Sequence, residues 1–139
     1  MKNIQNFLAQ VRSDLGDQWV DQRPETLVRY GEHTLPGQAR APSAVLFPES
    51  TVQVVAIVKA ANEFGIALYP ISTGNNIGLG SRAPARAGQV VVDLGYRMNR
   101  IREINEETCY AELEPGVSFQ ILRDELRRRG DKLMVSATS

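Results

Sequence analysis

Between Ser43 and Ser81 the chain runs through an apolar stretch, a helix signal, a second apolar stretch and a glycine-rich turn, and this order constrains the fold more than any other feature. Ser43 to Phe47 is short, apolar and closed by Pro48, so it reads as a buried strand. Ser50 followed by Gln53 is a capping signal; Val54, Val55, Val58, Ala61 and Phe64 form an apolar stripe, and Gly65 ends the helix. Residues 66–71 supply the second strand, and a strand, helix, strand crossover predicts that it pairs in parallel with 43–47. Gln89 to Leu94 is almost continuously apolar, as a central strand must be when both its faces are covered.

Around this unit the pattern changes. Ile4, Phe7, Leu8, Val11 and Leu15 recur at helical spacing ahead of Gly16, which predicts an amphipathic helix over 3–15. Residues 16–43 are rich in Gly, Pro and polar groups and are expected to wander over the surface. Met98–Ile104 and Cys109–Glu114 read as two strands of a hairpin joined by a polar turn, and Pro115-Gly116 breaks the pattern. Ser118 then caps a helix that turns Phe119, Leu122 and Leu126 inward and stops at Gly130, after three arginines that suit the negative end of the helix dipole. Residues 132–139 begin as another strand or buried loop. The expected fold is α+β: a small parallel βαβ subdomain, followed by the start of a second, mixed or antiparallel β subdomain. Residues 1–40 are expected to be a helix and extended lead-in, and 41–139 the first part of a domain that is truncated at its C-terminus.

Composition excludes several function classes. Sixteen basic residues balance sixteen acidic ones, so no overall field favours nucleic acid or an anionic membrane. No apolar stretch is long enough to cross a bilayer, and the N-terminus has no continuous apolar segment of the signal-peptide kind, so a cytoplasmic or periplasmic location is expected. A lone cysteine, Cys109, excludes an internal disulfide and reads as a small buried strand residue; a lone histidine, His33, excludes a multi-histidine metal site and reads as an exposed loop residue. Trp19 and the tyrosines show no spacing that marks a stacking platform. No metal site is expected.

The glycine-rich turn carries the chemistry. Gly74, Gly78 and Gly80 follow a strand directly, and such a turn can take positive φ and leave main-chain N–H groups open to an anion. Its spacing, Gly-x-x-x-Gly-x-Gly, is neither the P-loop, which needs a Gly-Lys-Ser/Thr ending, nor the Gly-x-Gly-x-x-Gly dinucleotide fingerprint. No lysine lies within it, and Pro84 and Gly88 prevent a helix from starting cleanly behind it. A nucleoside triphosphatase and a Rossmann dehydrogenase are therefore disfavoured.

Several blocks in order carry a family resemblance: Ala41-Pro42-Ser43-Ala44-Val45, the loop from Ile71 to Pro84, Gly88–Leu94, Met98-Asn99-Arg100-Ile101 and Cys109–Val117. Together they resemble the N-terminal half of the FAD-binding, PCMH-type domain of the vanillyl-alcohol oxidase and p-cresol methylhydroxylase flavoprotein family. The resemblance implies FAD as cofactor, with its pyrophosphate wrapped by Pro70, Ile71, Ser72, Thr73, Gly74, Asn75, Asn76, Ile77, Gly78, Gly80 and Ser81. It also implies side-chain donors at Ser72, Thr73, Asn76 and Ser81, and a second approach to the cofactor at Glu114 and Gly116. Asn75 stands where relatives carry a basic residue, and Ile77 and Leu79 where they carry aromatics. Asn75 also occupies the place of the histidine that tethers flavin in many oxidases of the wider superfamily, and an amide cannot form that bond.

The implied activity is oxidation of para-substituted phenols of the 4-cresol, vanillyl alcohol or eugenol type by hydride transfer to the flavin. The implied partners are a phenolic substrate, oxygen or a cytochrome c as electron acceptor, and a second copy in a homodimer. Catalytic residues and any covalent flavin anchor are expected beyond residue 139, and the isolated piece is expected to be inactive and to bind FAD weakly or not at all. The alternative is a non-catalytic nucleotide-binding or interaction module on the same βαβ scaffold. A cell-wall precursor reductase with this FAD fold is disfavoured by the Glu-Pro-Gly-Val and Met-Asn-x-Ile blocks.

Overall fold

Capping signals in the sequence mark the ends of two of the helices. The computed structural model describes residues 2–33, 36–74, 81–130 and 132–136. Helix α1 (Lys2–Leu15) buries Phe7, Leu8, Val11 and Leu15. A short 3-10 turn (Asp17–Trp19), strand β1 (Val20–Asp21) and helix α2 (Pro24–Gly31) follow, the last with proline in its first turn, where no N–H is needed. Strand β2 (Ala44–Leu46) leads to α3 (Thr51–Phe64), whose Ser50 hydroxyl accepts from the Gln53 N–H, with Gly65 in the left-handed region at φ +67°. Strands β3 (Leu68–Ile71), β4 (Val90–Asp93), β5 (Ile101–Asn105) and β6 (Tyr110–Leu113) and helix α4 (Phe119–Arg129) complete the order.

The main sheet has the order β1-β2-β4-β3. The sequence predicts that β2 and β3 pair with each other, and they do not: β4 lies between them, parallel to both, with Val45 opposite Val91 and Tyr69 opposite Val91 from the other side. Central placement of β4 itself is as expected, and its residues are all buried. A single strand that is apolar on both faces competes better for the middle than β3, which carries Pro70. Proline cannot donate to a ladder, so β3 belongs at the edge.

Alternation along β2 and β4 divides the core. Ala44, Leu46, Val90 and Val92 face α1 and α3, where they meet Phe7, Leu8, Val11, Ile57, Ala60 and Ala61. Val45 and Val91 face the other way, onto Tyr30 of α2, Phe47 and Ile71. The buried face of α3 is thus built on Ile57, Ala60 and Ala61; Val55 and Val58 of the expected stripe are exposed, because the run of valines is apolar at more positions than one face can cover.

The expectation that 16–43 wanders over the surface is also corrected. Strand β1 pairs antiparallel with β2, Val20 opposite Leu46, and α2 buries Thr26, Tyr30 and Gly31. Asp21 fixes the entry to α2: its carboxylate accepts from the Arg23 main-chain N–H at 2.8 Å, from the Arg23 guanidinium and from the Thr26 hydroxyl at 2.9 Å. The guanidinium of Arg23 is the main reason that the Asp21 carboxyl is lowered from 3.8 to about 2. A carboxyl depressed on folding stabilises the fold above its unfolded pKa, and that contribution is lost as pH falls through the folded value. Asp21→Asn is therefore expected to lower the urea midpoint at pH near 6, by about 1 kcal/mol because Arg23 is solvent-exposed, and to approach wild-type stability near pH 2.

Strands β5 and β6 form the expected antiparallel hairpin, Asn105 opposite Tyr110, with an irregularity between Ile101 and Glu103. Cys109 is exposed in the turn before β6 at φ +55°, not buried in a strand. On α4, the Ser118 hydroxyl accepts from the Ile121 N–H and Gly130 takes φ +74°, as the caps predict. Leu122 and Leu126 are buried, but Phe119 is exposed. Residues 132–136 form no strand, and Met134 is exposed.

Candidate functional site

Three turns meet at the carboxyl ends of the parallel strands, where α/β sheets place ligands. Ser72 and Thr73 leave β3; Leu94 and Gly95 leave β4; Gly116 follows β6. The Leu94 N–H donates to the Ile71 carbonyl at 2.9 Å, so the first two turns start side by side. Gly95 then lies flat on the Ser72–Thr73 peptide: a Cβ there would sit under 3.0 Å from the Ser72 carbonyl oxygen and 2.9 Å from the Thr73 nitrogen. Gly116 lies equally close to Gly95, whose carbonyl oxygen a Cβ at 116 would press on, and the Gly116 N–H donates to the Met98 carbonyl at 2.7 Å. Backbone stacked on backbone in this way requires glycine at both positions.

Beside this stack is a cavity of about 390 Å³, bounded by Ser72, Thr73 and Arg82 on one side and by Arg29, Tyr30, Asp93 and Tyr96 on the other. Tyr30 is buried, and its hydroxyl donates to Asp93 Oδ2 at 2.6 Å; Asp93 Oδ1 accepts from the Tyr96 N–H at 3.0 Å. Burial, and then the neighbouring carboxylate, push the Tyr30 phenol above its ordinary range, so it stays a neutral donor. Removing that donor strands part of a buried carboxylate. Tyr30→Phe is expected to cost about 1–3 kcal/mol in urea unfolding; an unchanged midpoint would show that Asp93 does not depend on it.

Positive charge gathers over the same ring. Arg29 lies 5.2 Å and Arg82 6.0 Å from the Tyr30 ring centre, and Arg82 donates from Nη2 to the Thr73 carbonyl at 3.2 Å. Neither guanidinium has a carboxylate partner among the described residues. Gly74 takes φ +74°, and the main-chain N–H groups of Ser72 and Gly74 make no hydrogen bond among the described residues. Open amides next to two guanidinium groups suit an anion of diphosphate type.

Of the expected site residues, Ser72 and Thr73 line this cavity; Gly74 follows them against the Arg82 side chain, while Ile71, in the core with Tyr30, and Pro70 precede them on β3. Ser81 closes the loop, its hydroxyl accepting from the Ala83 N–H at 3.2 Å. Asn75, Asn76, Ile77, Gly78 and Gly80 lie outside the described residues. Gly116 reaches the loop through Gly95, whereas the buried Glu114 carboxylate turns to the Arg100 N–H at 2.9 Å and the Arg102 guanidinium at 3.2 Å, ties that hold its pKa below the usual range. His33 is half-buried rather than exposed, with Nε2 at 2.9 Å from the Gln38 carbonyl.

Sequence reasoning missed Arg29, Tyr30, Arg82, Asp93 and Gly95. Asp93-Leu94-Gly95 at the end of an apolar strand was the signal available for the last two. An aromatic group that spacing did not reveal also forms here. Phe47 and Tyr96 have ring centres 4.9 Å apart, Trp19 is 6.4 Å from Tyr96, and the Arg97 guanidinium lies 3.7 Å over Trp19.

The chain belongs to the FAD binding domain family, whose model matches residues 42–139. It is 40% identical over 137 residues to the 4-cresol dehydrogenase [hydroxylating] flavoprotein subunit of Pseudomonas putida, covering 97% of this chain and 25% of that protein. It is also 40% identical over 135 residues to 1'-carboxy-chondrochloren decarboxylase of Chondromyces crocatus, again covering 97% of this chain and 25% of that protein. A solved structure of p-cresol methylhydroxylase with substrate bound superposes with a TM-score of 0.94 at 37% identity, over 99% of this chain and 27% of that one. The chain thus spans about a quarter of the length of these relatives. FAD is the cofactor of this family, the fold is of the PCMH type, and the related 4-cresol dehydrogenase is a flavoprotein oxidoreductase. Among the described residues no cluster could hold a metal ion, and no helix is long and apolar enough to cross a membrane.

Proposed function

We propose that this chain is the FAD-binding N-terminal portion of an oxidoreductase that oxidises para-substituted phenols. In this reading residues 41–139 form the first part of the FAD-binding domain. Residues 71–81 wrap the pyrophosphate, and the turn with Glu114 and Gly116 is a second approach to the cofactor. The observation that carries the reading is that the N–H groups of Ser72 and Gly74, at the carboxyl end of β3, make no hydrogen bond among the described residues, in a chain that matches the FAD binding domain family. Bound FAD supplies an isoalloxazine ring that accepts a hydride from the substrate. What these residues supply is grip and orientation: main-chain amides on the diphosphate, and a glycine stack that leaves no side chain between the turns and the nucleotide.

The phenol, the groups that bind its phenolate and any covalent flavin anchor belong to the remainder of a relative-sized protein, as does the choice between oxygen and a cytochrome c acceptor. A homodimer is part of the same proposal. The 139-residue chain alone is expected to be inactive and to bind FAD more weakly than micromolar, because one quarter of such a protein covers only part of the nucleotide.

The deciding experiment is a flavin titration of this chain, followed by anaerobic mixing of the FAD-loaded longer protein with 4-cresol, vanillyl alcohol and eugenol. Bleaching of the oxidised flavin band by one of them supports the proposal. Bound flavin that none of them bleaches would favour the alternative, a non-catalytic nucleotide-binding module on the same βαβ scaffold.

A further inference from the structure

We infer that Arg82, assisted by Arg29, is the cation that holds the diphosphate of the flavin nucleotide; this rests on the FAD reading of the same cavity. The glycine-rich loop from Pro70 to Ser81 contains no lysine, arginine or histidine, so its main-chain amides alone would have to balance the charge of a diphosphate. Neutral amides orient such a group, but a guanidinium adds a fixed charge and a planar fork of donors that matches phosphate oxygens. The fold brings two such groups from outside the loop. Arg29 comes from the last turn of α2, and Arg82 from the residue that follows Ser81.

Their surroundings are those of an anion receptor. Both cations gather on one buried tyrosine ring, 5.2 and 6.0 Å from its centre, and neither has its own carboxylate among the described residues. Asp93 is the carboxylate that bounds the cavity, and its two oxygens already accept from the Tyr30 hydroxyl and the Tyr96 N–H. The cavity therefore carries an excess of positive charge next to the open amides of Ser72 and Gly74.

Arg82 is the stronger of the pair. Among the described residues its guanidinium makes one hydrogen bond, to the Thr73 carbonyl, which anchors it beside Gly74; a guanidinium carries five N–H donors, enough to meet a ligand as well. It lies so close to Gly74 that a Cβ there would sit 2.6 Å from Arg82 Nε, so the glycine is what allows the side chain to run along the loop. Arg29 is exposed and held only by its position over the ring. In this arrangement position 82, outside the glycine pattern, sets the charge of the site.

The test is a two-dimensional NMR titration of the 139-residue chain with FAD, ADP and adenosine to millimolar concentration, for wild type, Arg82→Ala, Arg82→Gln, Arg82→Lys and Arg29→Ala. Loss of one charge-assisted contact predicts that Arg82→Ala and Arg82→Gln bind FAD and ADP about tenfold to a hundredfold more weakly, with a shallower dependence on salt. Arg82→Lys recovers part of the loss, Arg29→Ala costs a few-fold, and adenosine, which has no phosphate, responds alike in all variants. If Arg82→Ala loses its dispersed spectrum, the polar but uncharged Arg82→Gln decides. Wild-type affinity for ADP and FAD in Arg82→Gln overturns the inference while leaving the FAD reading intact, as does equal loss of ADP and adenosine. Absence of FAD and ADP binding to the wild-type chain at millimolar concentration overturns the placement of the diphosphate in this cavity, and the inference with it.

Discussion

Gly95→Val is expected to destabilise the chain by more than about 3 kcal/mol and to displace the turn that follows β3. The reason is that the new side chain meets backbone rather than a flexible neighbour: the Ser72 carbonyl and the Thr73 nitrogen occupy the space, both within 3.0 Å of the Cβ position. Rotating χ1 cannot relieve a clash at Cβ itself, so one of two strand ends must move. Leu94 is bonded to Ile71 immediately before this point, and separating the turns would break that bond as well. Urea unfolding of Gly95→Ala and Gly95→Val measures the effect; midpoints within experimental error of wild type would show that the turns are not held in register here. Gly116→Ala is expected to fall in the same class, because its Cβ would press on the Gly95 carbonyl.

The other large effect concerns the ligand rather than the fold. Gly74→Val is expected to abolish measurable FAD binding while leaving the cooperative unfolding of the sheet core largely intact. At φ +74° a β-branched residue is strongly disfavoured, and its Cβ would collide with the Arg82 side chain at 2.6 to 2.7 Å. The loop would escape both problems by moving, which carries its open amides and Arg82 away from each other. Since Gly74 lies beyond the last residue of β3, the ladder with β4 has no reason to respond. Flavin fluorescence titration with parallel thermal melts separates the two quantities. Unchanged affinity would mean that this loop is not where the nucleotide sits.

How much of this was legible in the sequence depended on whether the signal was local. Ser50 with Gly65, and Ser118 with Gly130, mark helix ends by chemistry within one turn, and α3 and α4 begin and stop there. The unbroken apolar run of Val90, Val91 and Val92 likewise announced a strand covered on both faces. Pairing was harder. The crossover from β2 to β3 is a sound reason for parallel strands, but it does not say which strand stands between them, and β4 took that place. Residues 16–43 misled because their polar composition hid Asp21, whose bonds to Arg23 and Thr26 organise α2, and Tyr30, whose partner Asp93 is 63 positions away. The site divided along the same line. Ser72, Thr73 and Gly74 were visible as a glycine-rich turn after a strand. Arg29 and Arg82, far apart in sequence, become neighbours only when both approach one tyrosine ring.

The insertion of β4 between two older neighbours has a consequence for how such a chain is made. A ribosome delivers β2, α3 and β3 before it delivers residues 90–93, yet among the described residues the hydrogen-bonding neighbour of β3 is the strand still to come. Until then, the half-finished sheet presents Val45, Leu46 and Ile71 to the medium with a gap one strand wide. Pairing of β4 fills that gap and completes both faces of the sheet together, so a nascent chain stalled near Gly88 is expected to leave unpaired apolar strands of the kind that chaperones recognise.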